Sequence, residues 1–149
     1  MKHDIFNKLT ERLIRYDHRT QVVMLWRYLH KYNELLTDEE FWSLLIDVWS
    51  STEANSRSID KGFWLIMLKM RKPLEKYRKH LPKTFTIYRG GHSDGLSWTT
   101  SKAKAKWFQK RKKKVGIIEP LSEKKIKREE VIFYDNVRKE KEVVILNKL

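Results

Sequence analysis

Apolar side chains recur at steps of three and four residues through the first half of the chain. Over residues 20–32 this spacing predicts a helix with one buried face. Thr37 and Glu40 form a capping box that predicts the start of a second helix, because each side chain can reach the other residue's backbone amide. A third apolar run, from about residue 52 to residue 70, predicts a further helix. The methionine and aromatic stripes of these helices are expected to be core.

The second half of the chain changes to the period of strands. Residues 84–88 alternate β-branched and aromatic side chains, which predicts a strand. Ser101 can cap a helix that runs to about Lys112, with Ala105, Trp107 and Phe108 expected to point inward. Further short strands are predicted at residues 96–99, 115–118, 131–134 and 143–146.

The order of these elements predicts an α+β fold, in which a helical segment packs on a mostly antiparallel β core. We expect one domain over residues 1–149, with a helical part over residues 1–82 and the β core over residues 83–149. The break falls near Pro82, where the composition also changes.

Charge sharpens this division. Lys and Arg number 33 against 19 Asp and Glu, for a formal net charge of +14. Residues 83–149 hold 18 basic and 8 acidic side chains, so most of the excess lies in the predicted β core. The longest aliphatic-aromatic run, residues 63–68, is far shorter than the ~20 residues that cross a bilayer. With no signal-peptide pattern at its start, the chain is expected to be cytoplasmic, with no membrane partner.

Residue types exclude several chemistries. The chain has no Cys, which excludes disulfides, thiol catalysis and thiolate metal sites. The 5 His are scattered without the spacing of paired metal ligands, so no metal is expected. No phosphate-binding loop of the Walker type and no Gly-x-Ser-x-Gly elbow is present. Arginine, serine and glutamate remain as carriers of chemistry.

Three features of the β region carry candidate chemistry. Arg89 ends the first predicted strand and offers a planar fork for a phosphate, while Gly90 lets a ligand approach the backbone. The alternative is an arginine that merely caps a strand end. The Leu96–Ser101 segment is rich in hydroxyls, and alternation places the Ser97 and Thr99 side chains on one face. Helix capping explains the hydroxyl at its end but not Ser97.

The third feature is a pair of carboxylates at the start of a late apolar strand. Glu140 and Glu142 are two residues apart and, in extended chain, would project to the same side. With 12 Glu in the chain, about one such spacing is expected by chance, so the pair alone is a weak signal. Its position beside the sheet leaves one carboxylate partly desolvated, where it can act on a cation-like centre.

A strand-end arginine, a Ser-x-Thr strand and a Glu-x-Glu strand, in this order, resemble the arginine-serine-glutamate branch of the mono-ADP-ribosyltransferases. This branch includes cholera-toxin-like and clostridial-toxin-like enzymes, and the likeness is greatest to small bacterial and phage-encoded members. It covers about residues 84–146, although Trp98 replaces the middle hydroxyl of the usual Ser-Thr-Ser triplet. The segments that carry it are Tyr88-Arg89-Gly90, Gly95-Leu96-Ser97-Trp98-Thr99, Ala105-Lys106-Trp107-Phe108 and Arg138-Lys139-Glu140-Lys141-Glu142-Val143-Val144.

The resemblance implies a fold of the ADP-ribosyltransferase type, with a split β core, and an enzyme that breaks the nicotinamide–ribose bond of NAD. ADP-ribose then passes to a macromolecular acceptor. Glu142 would stabilise the oxocarbenium-like transition state, and Ser97 would orient Glu142. Glu140 would orient or deprotonate the acceptor. These three are the catalytic residues that the resemblance implies.

The resemblance also implies an NAD site without a metal. Arg89 would hold the diphosphate, backbone groups at Gly90 would meet the nicotinamide amide, and Thr99 would support the pocket wall. Glu-x-Glu favours an arginine of a protein as acceptor by family habit. A phage or bacterial effector acting in the host cytoplasm is the matching biological setting. The NAD-binding residues on this interpretation are Tyr88, Arg89, Gly90, Ser97 and Thr99.

A run of positive charge supports other interpretations. Between Lys102 and Lys114 there are eight basic side chains and no acidic one. Such a run can bind nucleic acid without sequence preference, and a basic nucleic-acid-binding protein would use the same residues. It can also dock a nucleic-acid acceptor or an acidic protein, or form a solvated helix face.

Overall fold

Helices make up the first part of the fold. A computed structural model describes residues 2–52 and 60–146 of the chain. The chain divides into two compact units, Met1–Lys72 and Pro73–Leu149. The division thus precedes Pro82, where the composition changes. The α-helices among the described residues of the first unit are α1 (Lys2–Leu13), α2 (His18–Lys31), α3 (Asp38–Ser51) and α4 (Lys61–Leu68).

The helix starts and faces follow the sequence signals. Glu40 donates its backbone N–H to Thr37 Oγ1 at 3.1 Å, and Thr37 N donates to Glu40 Oε1 at 2.9 Å, so the predicted capping box is confirmed. The rings of Trp49 and Trp64 meet edge to face, with centroids 4.9 Å apart. Most of the apolar stripes are core, as predicted; buried among them are Val22, Leu25, Leu29, Phe41, Leu44, Leu45, Val48, Trp64 and Met67. Ile66, predicted in the same stripe, is 48% exposed, because it lies two positions from the buried Trp64 and therefore on the other side of the helix.

The predicted helix over residues 52–70 is shorter where the structure describes it. Thr52 is the residue that ends α3, and its hydroxyl donates to the carbonyl of Trp49 at 2.9 Å. Residues 53–59 lie outside the described residues. The helix is observed from Lys61 to Leu68, after Asp60 at its N-cap position.

The second unit holds one antiparallel sheet. Its five strands lie in the order β3-β1-β2-β5-β4, and each neighbouring pair is antiparallel. With the helices, this confirms the α+β class. The elements are β1 (Thr84–Gly90), β2 (Ser97–Thr99), α5 (Lys102–Lys114), β3 (Leu121–Lys127), β4 (Val131–Asp135) and β5 (Glu142–Ile145).

One face of this sheet holds an apolar cluster. Ile87, Trp98 and Val143 are buried on neighbouring strands and belong to this cluster, together with Leu81. Because side chains alternate along a strand, the neighbours of these residues point to the opposite face. The opposite face carries the candidate chemistry, beside the buried side chains of Val144 and Phe133.

The segment after α5 differs from its prediction. Residues 115–118 do not form a strand: Val115 ends the helix, and Gly116 has φ of 84°, a left-handed conformation. Val115 and Ile118 are 73% and 84% exposed. The strand in this region is β3, which was not predicted. Its charged residues, including Glu123, Lys124 and Lys125, conceal the alternation, as is common for a strand at a sheet edge.

Helix α5 begins as predicted but faces differently. Lys104 N donates to Ser101 Oγ at 3.1 Å, which confirms the cap. Ala105 is fully buried, whereas Trp107, predicted to point inward, is 47% exposed. The physical reason is periodicity: Trp107 lies two positions from Ala105, and two positions turn a helix by about 200°.

Candidate active site

A row of polar side chains crosses the sheet on the face opposite the apolar cluster. Tyr88 pairs with Thr99, and Thr99 pairs with Glu142. Paired residues of antiparallel strands share a face and lie about 4.5–5.5 Å apart. The register extends the row to both edges, as Glu123, Tyr88, Thr99, Glu142 and Asp135. Three predicted site residues are therefore neighbours in the fold.

Glu142 is the buried carboxylate of this row. It is 6% exposed, and its Oε2 accepts a hydrogen bond from the hydroxyl of Ser97. Ser97 pairs with Val144, two residues beyond Glu142, so the two side chains are diagonal neighbours on one face. A buried polar group is costly unless it is hydrogen-bonded, and the Ser97 hydroxyl supplies one such bond. This hydrogen bond is the contact through which Ser97 could orient Glu142, as the resemblance predicts.

The side chain of Arg89 links the end of β1 to the backbone around β2, where the two strands pair at only one position. The register between these strands is the single pair of Tyr88 with Thr99. Arg89 Nε donates to the carbonyl of His92, and Nη1 donates to the carbonyl of Ser97, each at 2.8 Å. The guanidinium therefore fixes the backbone of the residue whose hydroxyl binds Glu142.

Gly95 makes room for this guanidinium. A Cβ atom at Gly95 would lie 2.0 Å from Cζ and 2.1 Å from Nε of Arg89. Gly95 also accepts a hydrogen bond at its carbonyl from the indole N–H of Trp98, at 2.9 Å. The glycine of the Gly-Leu-Ser-Trp-Thr segment is thus a steric requirement of the Arg89 position.

The backbone of α5 packs closely against Gly90. A Cβ at Gly90 would lie 2.4 Å from the carbonyl oxygen of Ala105 and 2.8 Å from the backbone nitrogen of Gln109. The carbonyl of Gly90 accepts a hydrogen bond from Lys112 Nζ at 2.8 Å. The close approach that requires glycine here is that of α5. The approach of a ligand to Gly90 stays a prediction.

Lys112 and Glu119 are site neighbours that the sequence interpretation missed. Lys112 Nζ also forms an ion pair with Glu119 Oε2 at 2.9 Å. The hydrogen bond from Lys112, with the positive charges of Lys112, His92 and Arg89, holds the pKa of Glu119 below its ordinary value, against the opposing effect of burial. Helical spacing is the signal that could have found Lys112, since it lies seven positions after the buried Ala105.

Glu140 is not on the same strand segment as Glu142, so the expected extended pair is wrong. Lys139 and Lys141 have φ of 56° and 49°, in the left-handed region, and β5 begins only at Glu142. This backbone breaks the two-residue alternation on which the prediction depended. Glu140 is half-buried in the turn, and its carbonyl accepts a hydrogen bond from Thr99 Oγ1 at 2.8 Å.

Glu140 lines a groove between this turn and the start of α5. The groove has a volume of about 300 Å³. A larger cavity of about 680 Å³ lies in the first unit along α2 and contains no carboxylate in its lining. Volume therefore does not select the candidate site, whereas the buried Glu142 and the adjacent Glu140 do. The groove is lined by Ser101, Ala103, Lys104, Trp107, Lys139, Glu140 and Lys141.

Comparisons with protein-family models, with curated proteins and with solved structures each returned no match. Within residues 2–52 and 60–146, no three His, Asp or Glu side chains gather in a way that could hold a metal ion. The helices in this described part are too short or too polar to span a bilayer.

Proposed function

We propose that the protein is a mono-ADP-ribosyltransferase, with a β core of the ADP-ribosyltransferase type. NAD is its substrate, and the nicotinamide–ribose bond is the bond that breaks. The observation that carries this proposal is the buried Glu142 carboxylate, held by the Ser97 hydroxyl beside the Arg89 strand end. The order of these three residues is the one that the sequence shares with the arginine-serine-glutamate branch.

Glu142 supplies the electrostatic part of the reaction. As the bond from the ribose C1′ to the nicotinamide nitrogen lengthens, its electron pair leaves with neutral nicotinamide, and positive charge develops on the ribose. A carboxylate fixed before the reaction stabilises that charge without reorganising. The burial of Glu142 strengthens the interaction, since little water is present to screen it.

Two residues of the row, Tyr88 and Thr99, hold the substrate together with residues at the end of β1. Arg89 provides a cation for the diphosphate at the end of β1. Tyr88 and Thr99 present a ring and a hydroxyl on the face that carries Glu142. Backbone groups at Gly90 serve the nicotinamide amide, and Lys112 fixes that backbone through the Gly90 carbonyl.

Glu140 acts on the acceptor side. Its place in the turn, rather than beside Glu142, separates the two glutamates into different surroundings: one buried against Ser97, the other lining an open groove. A carboxylate in such a groove can take the proton that a nucleophile releases as it attacks the ribose.

Substituting the two glutamates one at a time tests the roles assigned to them, because the two variants should lose different reactions. Glu142→Gln should abolish both hydrolysis of NAD and transfer to an acceptor, whereas Glu140→Gln should reduce transfer more than hydrolysis. Nicotinamide release measures the first reaction, and incorporation of adenylate-labelled NAD into lysate acceptors measures the second. Glu123→Gln, the same change in the same row but on an exposed edge position, is the control. Equal loss of both reactions in Glu140→Gln would contradict its role.

A further inference from the structure

The turn that holds Glu140 has a strained but well-fixed backbone. Lysine rarely adopts the left-handed conformation, yet both neighbours of Glu140, Lys139 and Lys141, do so. The side chain of Asn136 accepts a hydrogen bond from Lys141 N at 3.0 Å, and the Lys141 carbonyl accepts one from Thr100 N at 3.1 Å. Strain that the surrounding structure maintains in this way is characteristic of functional sites.

The groove beside this turn combines an exposed ring with positive charge. Trp107 is 47% exposed, although tryptophan is normally well buried. Lys104 Nζ lies 4.4 Å from the centroid of the Trp107 ring, and Arg111 Cζ lies 5.3 Å from it. Lys139 and Lys141 approach the same groove from the turn.

The charge of the groove selects among acceptors. Three lysines and one glutamate line it, so a cationic acceptor such as an arginine side chain would enter a region of net positive charge. An acidic peptide would satisfy the lysines, but only an aromatic residue within it could stack on the indole ring. A single-stranded nucleic acid offers both, because its phosphates are anionic and its unpaired bases present flat faces that stack on aromatic side chains. In a duplex those faces are covered by the neighbouring base pairs.

We propose that the groove binds single-stranded nucleic acid as the acceptor of the ADP-ribosyl transfer, with a base stacked on Trp107 and phosphates on Lys104, Lys139 and Lys141. This proposal rests on the proposed function for the transfer step, although the binding step is independent of it. The Lys104 ammonium moves from the ring to a phosphate as the base stacks.

The transfer balances with the residues present. The lone pair of a base nitrogen that carries a hydrogen attacks C1′ of the nicotinamide ribose, and a C–N bond forms there. The electrons of the bond from C1′ to nicotinamide leave with the nicotinamide, which departs neutral. The hydrogen on the attacking nitrogen passes to the Glu140 carboxylate as a proton. No oxidant or reductant is required.

Binding is tested first, by fluorescence anisotropy with labelled single-stranded DNA and RNA oligonucleotides and with a duplex of the same sequence. Trp107→Leu keeps apolar bulk but removes the aromatic face, and it should weaken single-strand binding by about 5- to 150-fold. Trp107→Tyr keeps a ring and should bind within about threefold of the native protein. Duplex affinity should be unchanged in both. Equal affinity of Trp107→Leu and native protein for single strands would overturn the proposal.

Charge variants separate the groove from general attraction to a basic protein. Lys104→Gln with Lys139→Gln should weaken single-strand binding and lower the slope of log affinity against log salt by about 1.4. Lys113→Gln with Lys114→Gln makes the same change of charge at exposed positions outside the groove and should cost less. Equal losses in the two pairs would show general attraction and contradict a site.

Transfer is tested with adenylate-labelled NAD and the same oligonucleotides. Label that nuclease releases and protease does not would support the proposal. Consumption of NAD with label on protein alone would overturn the nucleic-acid acceptor while leaving the proposed function intact. Oligonucleotide binding that depends on Trp107, in a protein that does not cleave NAD, would refute the proposed function and the transfer step and leave only the binding site.

Discussion

The contact between Ser97 and Glu142 leads to a quantitative prediction. Ser97→Ala removes the hydroxyl that donates to a carboxylate only 6% exposed to solvent. A hydrogen bond to a charged group contributes about 1.5–3 kcal/mol. If the whole of that contribution positions Glu142 for the transition state, NAD cleavage should fall by about 10- to 150-fold. Ser97→Thr keeps the hydroxyl and should retain most of the activity.

The assay is initial-rate release of nicotinamide at saturating and at limiting NAD. A residue that orients Glu142 in the transition state should lower kcat and leave KM for NAD nearly unchanged. Thermal unfolding of each variant checks that the fold is intact, since loss of a hydrogen bond beside a buried charge also destabilises the protein.

A double-mutant cycle gives the refutation. Glu142→Gln should by itself cost at least about 3 kcal/mol of transition-state stabilisation. If Ser97 acts through Glu142, adding Ser97→Ala to that variant should cost almost nothing further, because the two residues form one unit. A full additional loss in the double variant would show that Ser97 contributes independently, and the positioning role would be wrong.

Three further predictions concern neighbouring residues. Gly95→Ala should displace the flexible Arg89 guanidinium and lower NAD turnover at least about tenfold, in a protein that still folds. In Gly90→Ala the new Cβ would meet the backbone of α5, so this change should instead lower the free energy of unfolding by about 1–3 kcal/mol. The reverse pattern would contradict both steric arguments. Because the folded-state pKa of Glu119 is depressed, its pair with Lys112 stabilises the protein above the ordinary glutamate pKa, and that contribution is lost as pH falls through the folded-state value. Glu119→Gln should therefore be less stable than the native protein at neutral pH, by about 1 kcal/mol. Denaturant titrations should show that this difference in the free energy of unfolding disappears at acid pH. A difference of constant size at all pH values would refute the prediction.

The sequence was sufficient for local structure that depends on nearby residues. The Thr37–Glu40 capping box, the Ser101 cap and the buried stripe of α2 all involve residues within one or a few helical turns, so spacing alone predicts them. Helix α1 has the same kind of signal, with Leu9 and Leu13 buried four residues apart, but it was not predicted.

Errors arose where the tertiary environment decides. Strand β3 is an edge strand with many lysines, so its hydrophobic alternation is weak, and the apolar residues 115–118 gave a false strand instead. The spacing of Glu140 and Glu142 predicts one extended segment, because nothing in it reveals the left-handed conformation of Lys139 and Lys141. The ion pair of Lys112 with Glu119 joins residues on opposite sides of a turn.

In the candidate site, too, the sequence predicts what depends on nearby residues and misses what depends on tertiary contacts. Alternation placed Ser97 and Thr99 on one face, and the register of β2 with β5 brings Glu142 to them. The use of Arg89 to hold the carbonyls of His92 and Ser97 depends on a loop conformation that no motif encodes. The steric role of Gly95 follows only from that conformation.

Release of nicotinamide from NAD by the purified native protein, compared with Glu142→Gln, tests the central claim most directly. The native protein should release nicotinamide and ADP-ribose in equal amounts when water is the acceptor. Glu142→Gln, in a protein that a cooperative thermal unfolding transition shows to be folded, should be slower by at least about 100-fold. Equal rates in the two proteins, or no release by the native protein with lysate and oligonucleotides supplied as acceptors, would contradict the assignment of Glu142 and with it the proposed enzyme.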